Sequence, residues 1–167
     1  RILALLGLGL AMAACGSAKT GRLQDEATAR DLYLEGLDYL THGDYESAVR
    51  PFTEVAQFPR FMSYAALGKL RLADTLFAQD RQLEAMEVYE EFTALYPNDA
   101  NVPYARFMAS RAVYARMPAD VSFFSPGERL DISRVLQARD RLADFLRSSP
   151  ESPYATDAAI LLGEVRG

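Results

Sequence analysis

Two side chains in this sequence could act as a nucleophile or a general base near neutral pH. They are Cys15, the only cysteine, and His42, the only histidine. A thiol or hydroxyl becomes a working nucleophile only beside a base that takes its proton, or where its pKa is lowered. His42 stands in the run His42-Gly43-Asp44-Tyr45, which reads as a turn, with no partner nucleophile near it. A polar surface residue is expected there. The acidic pairs Asp25-Glu26 and Glu90-Glu91 are the only other groupings with general acid/base potential, and they read as solvated helix faces. One cysteine cannot form an internal disulfide, and it supplies no Cys/His cluster for zinc. No Gly-rich phosphate loop and no acidic calcium loop occurs. The sequence therefore assigns no catalytic and no metal-ligating residue, and predicts a protein that is not an enzyme.

Bulk composition is consistent with that reading. A chain of 167 residues with 50% apolar content can bury the core of one domain. Ten glycines and eight prolines are too few for a disordered chain. The formal net charge of −5 argues against a nucleic-acid partner, which calls for a basic face.

The surroundings of Cys15 give that thiol a different use. Residues 2–14 form an uncharged apolar run with Arg1 before it. As a helix the run spans about 20 Å, too short for a hydrocarbon core of ~30 Å. It fits the apolar region of a secretory signal, and because the sequence begins with Arg1 rather than Met, the true start is expected upstream. The run closes on Met12-Ala13-Ala14-Cys15-Gly16-Ser17, which resembles a lipobox, with Met12 where Leu is commoner. A thiol is required there because a thioether carries diacylglycerol, and cleavage frees the cysteine amine for a further acyl chain. Several chains hold a protein on a bilayer where one would not. With Gly16 rather than Asp after the cysteine, the sorting rule for such lipoproteins implies the outer membrane. Three regions follow: residues 1–14 as signal, 15–28 as lipidated cysteine and polar tether, and 29–167 as the folded part.

From Ala29 the chain is helical and self-similar. Tyr33, Leu37 and Leu40 recur at helical spacing, and Gly36 among them would let a second helix come close. Gly43 offers a left-handed cap and Asp44 a start for the next helix, which carries Ala48, Phe52 and Val55 and ends near Pro59. Ala73, Leu76, Ala85, Tyr89 and Pro97 repeat the roles of Gly36, Tyr39, Ala48, Phe52 and Pro59. Ala138, Leu142 and Pro150 repeat them again, after a first helix over about Tyr104–Arg116 and a long loop from Met117-Pro118 to Pro126-Gly127. Units open alike at Tyr64-Ala65, Pro103-Tyr104-Ala105 and Pro153-Tyr154-Ala155, proline suiting a first helical turn. This is the grammar of a tetratricopeptide repeat. The predicted fold is all-α, a solenoid of about three and a half helical hairpins, each burying its apolar faces against its neighbours.

Lipobox, repeat order and loop come together with the phrase Glu91-Phe92-Thr93-Ala94-Leu95-Tyr96-Pro97 … Asn101-Val102-Pro103-Tyr104-Ala105-Arg106-Phe107-Met108. The later run Arg139-Asp140-Arg141-Leu142-Ala143-Asp144-Phe145-Leu146 … Pro150-Glu151-Ser152-Pro153-Tyr154-Ala155 adds to them. Together they resemble the BamD family, lipoproteins of the outer-membrane β-barrel assembly machinery. That family usually carries about five repeats, so this chain departs from it towards the C-terminus, where the family meets the POTRA region of BamA.

The resemblance implies a scaffold on the periplasmic face of the outer membrane, with no cofactor beyond the diacylglycerol and acyl chain on Cys15. Its implied partners are a BamA-like POTRA region, other lipoproteins of the machinery and unfolded outer-membrane β-barrel proteins. Such repeats offer a groove lined by their first helices. The residues expected to line it are Tyr33, Leu37, Leu70, Asp74, Phe77, Phe107, Arg111 and Tyr114, each of which could instead pack between repeats. Two other functions fit the same pattern: a tetratricopeptide lipoprotein of another envelope system (a type IV pilus pilotin, or Tol–Pal and peptidoglycan coordination), and an enzyme with an appended repeat module.

Overall fold

A computed structural model describes residues 14–59, 63–116 and 133–166, with side chains from Gln24 to Val165 within those spans. The apolar run 2–13 and the loop Met117–Gly127 lie outside the described residues. Among the described residues the chain is entirely helical, and no helix is long and apolar enough to cross a membrane. The seven helices are α1 (Ala14–Thr41), α2 (Tyr45–Ala56), α3 (Ser63–Ala78), α4 (Gln82–Leu95), α5 (Val102–Ala115), α6 (Ser133–Ser148) and α7 (Ala155–Arg166). Each packs on the next in sequence, while α1 also meets α3 and α5 meets α7. That is the contact pattern of stacked hairpins, α1–α2, α3–α4 and α5–α6, with α7 opening a fourth. The fold is the tetratricopeptide-like solenoid expected.

Helix α1 begins at Ala14, so the polar stretch expected as a tether is helical. Arg22-Leu23-Gln24-Asp25-Glu26-Ala27 is built of good helix formers, which carry the helix N-terminal to its packed part. Among the described side chains of α1, Ala29 is the first that is fully buried.

The hairpins close where small and large residues cross. A β-carbon on Gly36 would stand 2.6 Å from Cε1 of Phe52, and one on Gly68 would stand 2.3 Å from Cγ1 of Val55. Both rows are closer than any alanine allows, so α1 and α3 lie tight against α2. Phe52 and Val55 are buried through that approach, as are Ala73, Tyr89, Ala138 and Leu142 at the repeating positions. Pro51 sits inside α2 and is buried, a feature the repeat pattern did not flag.

The first two turns have one geometry and different residues. Gly43 is left-handed, with φ +74°, and the amide of Asp44 donates to the Tyr39 carbonyl at 3.0 Å. The Asp44 carboxylate then accepts from the Ser47 amide at 3.1 Å and starts α2. In the second turn Asp80 occupies the left-handed place, with φ +59°, and the Arg81 amide donates to Leu76 at 3.0 Å. No side chain caps α4.

These contacts predict two opposite effects in urea unfolding. Gly36→Ala should cost about 1–3 kcal/mol, because it forces a shift of the Phe52 ring, which is fully buried and packed edge-on against Tyr33. Asp80→Gly should gain about 0.5–1 kcal/mol by relieving a left-handed residue that carries a β-carbon.

Candidate functional site

The first helices present two clusters. The deeper one is centred on Asp74 in α3. One carboxylate oxygen accepts the Tyr89 hydroxyl of α4 at 2.6 Å and the Tyr104 hydroxyl of α5 at 2.8 Å. The other accepts Nη1 of Arg71 at 2.5 Å, one helical turn back. Asp74 thus ties the second hairpin to the third. Tyr89 is fully buried, and its ring meets that of Tyr104 edge-on at 6.3 Å. Burial is the main reason the Tyr89 hydroxyl resists ionisation, raising its pKa far above the ordinary value; the adjacent Asp74 charge adds to it. Tyr104 is raised for the same two reasons in the same order. Burial works against the charge of Arg71, but its hydrogen bond with Tyr33 and the Asp74 carboxylate outweigh it, leaving its pKa raised.

The tyrosines that open the units form a row along the same helices. Tyr64 lies 5.5 Å from Tyr33, and Tyr154 lies 5.5 Å from Tyr104. Tyr154 also stacks on Phe107, at 5.4 Å and nearly parallel.

The second cluster is more open. The Arg111 guanidinium lies 5.2 Å from the centre of the Phe77 ring, a cation–π contact between α5 and α3. Beside it a cleft of about 280 Å³ runs between α5 and α7, lined by Phe107, Arg111, Asp157, Ile160 and Leu161. Ile160 is 57% exposed, the most exposed large apolar side chain among those described. Tyr114 closes one side by donating its hydroxyl to Glu164.

The eight residues expected in a groove therefore separate. Phe77 and Tyr114 are half-buried and Arg111 is exposed, all three on the rim of the open cluster. Tyr33 and Leu37 are half-buried on α1, with Tyr33 edge-on to Phe52 at 5.9 Å. Asp74 is occupied by the two tyrosines and Arg71. Leu70, 2% exposed, belongs to the core, whereas Phe107, 5% exposed, is packed in the core and still contributes to the lining of the α5–α7 cleft. Leu70 is covered for a physical reason: residues at the same helical spacing divide between two neighbouring hairpins, and its side faces into the packed junction. Sequence reasoning missed Arg71, Tyr104 and Ile160. Ile160 had a signal, since in the run Ile160-Leu161-Leu162 of a two-sided helix one large side chain must face outward.

His42 and the Glu90-Glu91 pair, both weighed for catalysis, stand on different surfaces of the stack and are engaged elsewhere. His42 is exposed in the first turn, with Nδ1 2.8 Å from the Asp38 carbonyl. Glu90 pairs with Arg141 and Glu91 with Lys69, so the adjacent carboxylates are drawn to different helices. No cluster of three metal-ligating side chains occurs among the described residues.

The profile of the family described as YfiO, outer membrane lipoprotein, matches residues 25–167. The chain belongs to the YfiO family. Three curated relatives agree with this, each named outer membrane protein assembly factor BamD. The one from Neisseria gonorrhoeae is 27% identical over 168 aligned residues, covering 95% of this chain and 61% of the relative. That from Rickettsia prowazekii is 26% identical over 157, covering 94% and 59%. That from Caulobacter vibrioides is 27% identical over 151, covering 90% and 47%. This YfiO-family chain thus spans between about half and three fifths of the length of these relatives, and the resemblance drawn from its residues holds.

The Asp74 cluster predicts how stability responds to substitution and pH. Asp74→Ala strands the buried Tyr89 hydroxyl and should cost about 2–3 kcal/mol, while Asp74→Asn, which keeps an acceptor, should cost less. Because the folded pKa of Tyr89 and Tyr104 is raised, their contribution is complete below the unfolded tyrosine pKa, near 10, and declines as pH rises above it. Unfolding free energy measured from pH 8 to 11 should fall only in the upper part of that range. Tyr104→Phe should flatten the fall.

Proposed function

We propose that this chain is a lipid-anchored, non-enzymatic scaffold of the β-barrel assembly machinery, helping to fold and insert β-barrel proteins into the outer membrane. The observation that carries the reading is the coincidence of a YfiO-family match over residues 25–167 with a stack of helical hairpins. The names of the BamD relatives supply the process. Cys15 is the attachment point, through a diacylglycerol thioether and an acyl chain on its amine, holding the hairpins at the periplasmic face.

The working surface is the rim formed by Phe77, Arg111 and Tyr114, continued by Tyr33 and Leu37 on α1. Aromatic rings beside a guanidinium suit an extended segment that carries aromatic side chains and a carboxylate, such as the end of an unfolded β-barrel chain. A BamA-like POTRA region and the other lipoproteins of the machinery are the folded partners. Nothing specific favours a pilotin or a Tol–Pal role, or an appended enzyme.

Affinity purification of the full-length, lipidated protein from envelope extract tests the assignment. Co-purification of BamA is the expected result, and recovery of a secretin in its place would overturn the reading. For the anchor, Cys15→Ser should abolish labelling by a fatty-acid probe and leave the protein uncleaved or in the soluble periplasm; unchanged labelling would rule out Cys15 as the attachment point. For the surface, Phe77→Ala should weaken binding of a β-barrel C-terminal peptide with helical content unchanged in circular dichroism. A loss of helix would place Phe77 in the core instead.

A further inference from the structure

The junction of the second and third hairpins has a different chemistry from the positions that precede it. Tyr64 in α3 corresponds to Tyr104 in α5, and Ala85 in α4 to Ala138 in α6, which aligns the two hairpins residue by residue. In that register Lys69 and Leu70 become Ala109 and Ser110, Ala66 becomes Arg106, and Val88 and Leu95 become Arg141 and Ser148. The second hairpin fills the space. Leu70 is in its core, and Lys69 is buried along its stem with Nζ 2.8 Å from a carboxylate oxygen of Glu91. In the third hairpin, where Ala109 and Ser110 stand in place of Lys69 and Leu70, an open cleft of about 510 Å³ lies between α4, α5 and α6.

The charges lining this cleft are unequal in what they leave over. Glu90 is ion-paired with Arg141 across it, and Asp144 pairs with Arg147. Arg106 is exposed and has no carboxylate partner among the described residues. Around it, the hydroxyls of Thr93, Ser110 and Ser148 each donate to a carbonyl of their own helix, which leaves oxygen lone pairs to accept another donor. Ala109 and the nearly buried Phe145 supply apolar surface beneath.

We propose that this cleft docks an extended segment of a partner protein, which places an acidic side chain on Arg106 and its apolar stem on Ala109 and Phe145. A guanidinium matches a carboxylate through two parallel hydrogen bonds, and among the described residues Arg106 is the one cation lining the cleft not already matched. The hydroxyls of Thr93 and Ser148 accept backbone amides of the segment, while Ser110, 5% exposed, forms part of the floor. A cleft this open would leave a small free anion largely hydrated, whereas a chain running along α4 and α6 covers it. The site involves second helices, which the rim around Phe77 does not use, so the two surfaces can be lost independently.

Fluorescence anisotropy of the full-length protein with a labelled peptide of alternating Glu and Leu tests this, with the Lys–Leu counterpart as control. The Glu–Leu peptide should bind, and Arg106→Ala, which restores the residue of the second hairpin, should weaken it about tenfold or more. Ser110→Leu and Ser148→Leu, restoring the leucines of the second hairpin, should fill the cleft and remove binding while the rim around Phe77 keeps its own ligand. Equal binding of the Lys–Leu peptide, an Arg106→Ala affinity matching wild type, or no binding by the wild type would each overturn the proposal. Arg106 is on the surface, so its variant stays informative even if a leucine variant fails to fold.

Discussion

At Gly36 the ring of Phe52 lies where a β-carbon would stand, and at Gly68 the side chain of Val55 does the same. The rest of the solenoid depends on this closeness. A hairpin of two helices has no interior of its own; it can shield its apolar side chains only by drawing the helices together and then covering the remaining face with the next hairpin. Where the first helix carries a side chain at the crossing, the second must stand further off and the large residue loses its pocket. Glycine in mid-helix costs up to about 1 kcal/mol of helix propensity, so its presence at two crossings marks where packing gain exceeds that cost.

Apolar contact sets the distance between helices but tolerates sliding along them. Asp74 removes that tolerance between the second and third hairpins, because one carboxylate oxygen must meet hydroxyls from α4 and α5 at once. A shift by one turn would leave a fully buried Tyr89 hydroxyl without an acceptor, a penalty of about 1–3 kcal/mol for a buried polar group. The carboxylate is itself held by Arg71, which reaches Tyr33 on α1. A polar line therefore crosses all three hairpins on the side of the first helices. The surface proposed to hold a substrate segment is consequently rigid in register, which lowers the ordering cost of binding an extended chain.

Much of this architecture was legible in the residues. The left-handed Gly43, the Asp44 cap, the helix ends before Pro59, Pro97 and Pro150, and the buried Ala48, Phe52, Ala85, Tyr89, Ala138 and Leu142 all follow from spacing and residue type. Periodicity could not say which neighbour a first-helix side chain faces. Leu70, Phe77 and Phe107 are all large and apolar at helical spacing, and only the packing of the next hairpin separates the two buried ones from the one on the rim. Asp74 was picked out, but as a ligand for a guest chain; its partners Tyr89 and Tyr104 lie on two other helices, and no local pattern joins them. Helix α1 extends back through the stretch that polarity marks as a tether, because Arg22–Ala27 has ample helix propensity of its own.

Repetition also supplies an internal control that a single-copy fold lacks. Two hairpins aligned residue by residue show what a position holds when it is needed only for packing. Lys69 and Leu70 are large at a filled position, and Ala109 and Ser110 are small at the corresponding one, where they form the buried floor of a cleft. Loss of packing area at a hairpin junction destabilises the stack, since each unit depends on its neighbours for cover. Part of that loss is recovered by the Glu90–Arg141 pair spanning α4 and α6, but a half-exposed ion pair contributes on the order of 1 kcal/mol or less. Arg106, at the position where the second hairpin has an alanine, recovers none of it, standing in solvent with no carboxylate partner among the described residues. A junction that gives up apolar contact and gains an unmatched cation is better suited to receiving another surface than to holding its own two hairpins together.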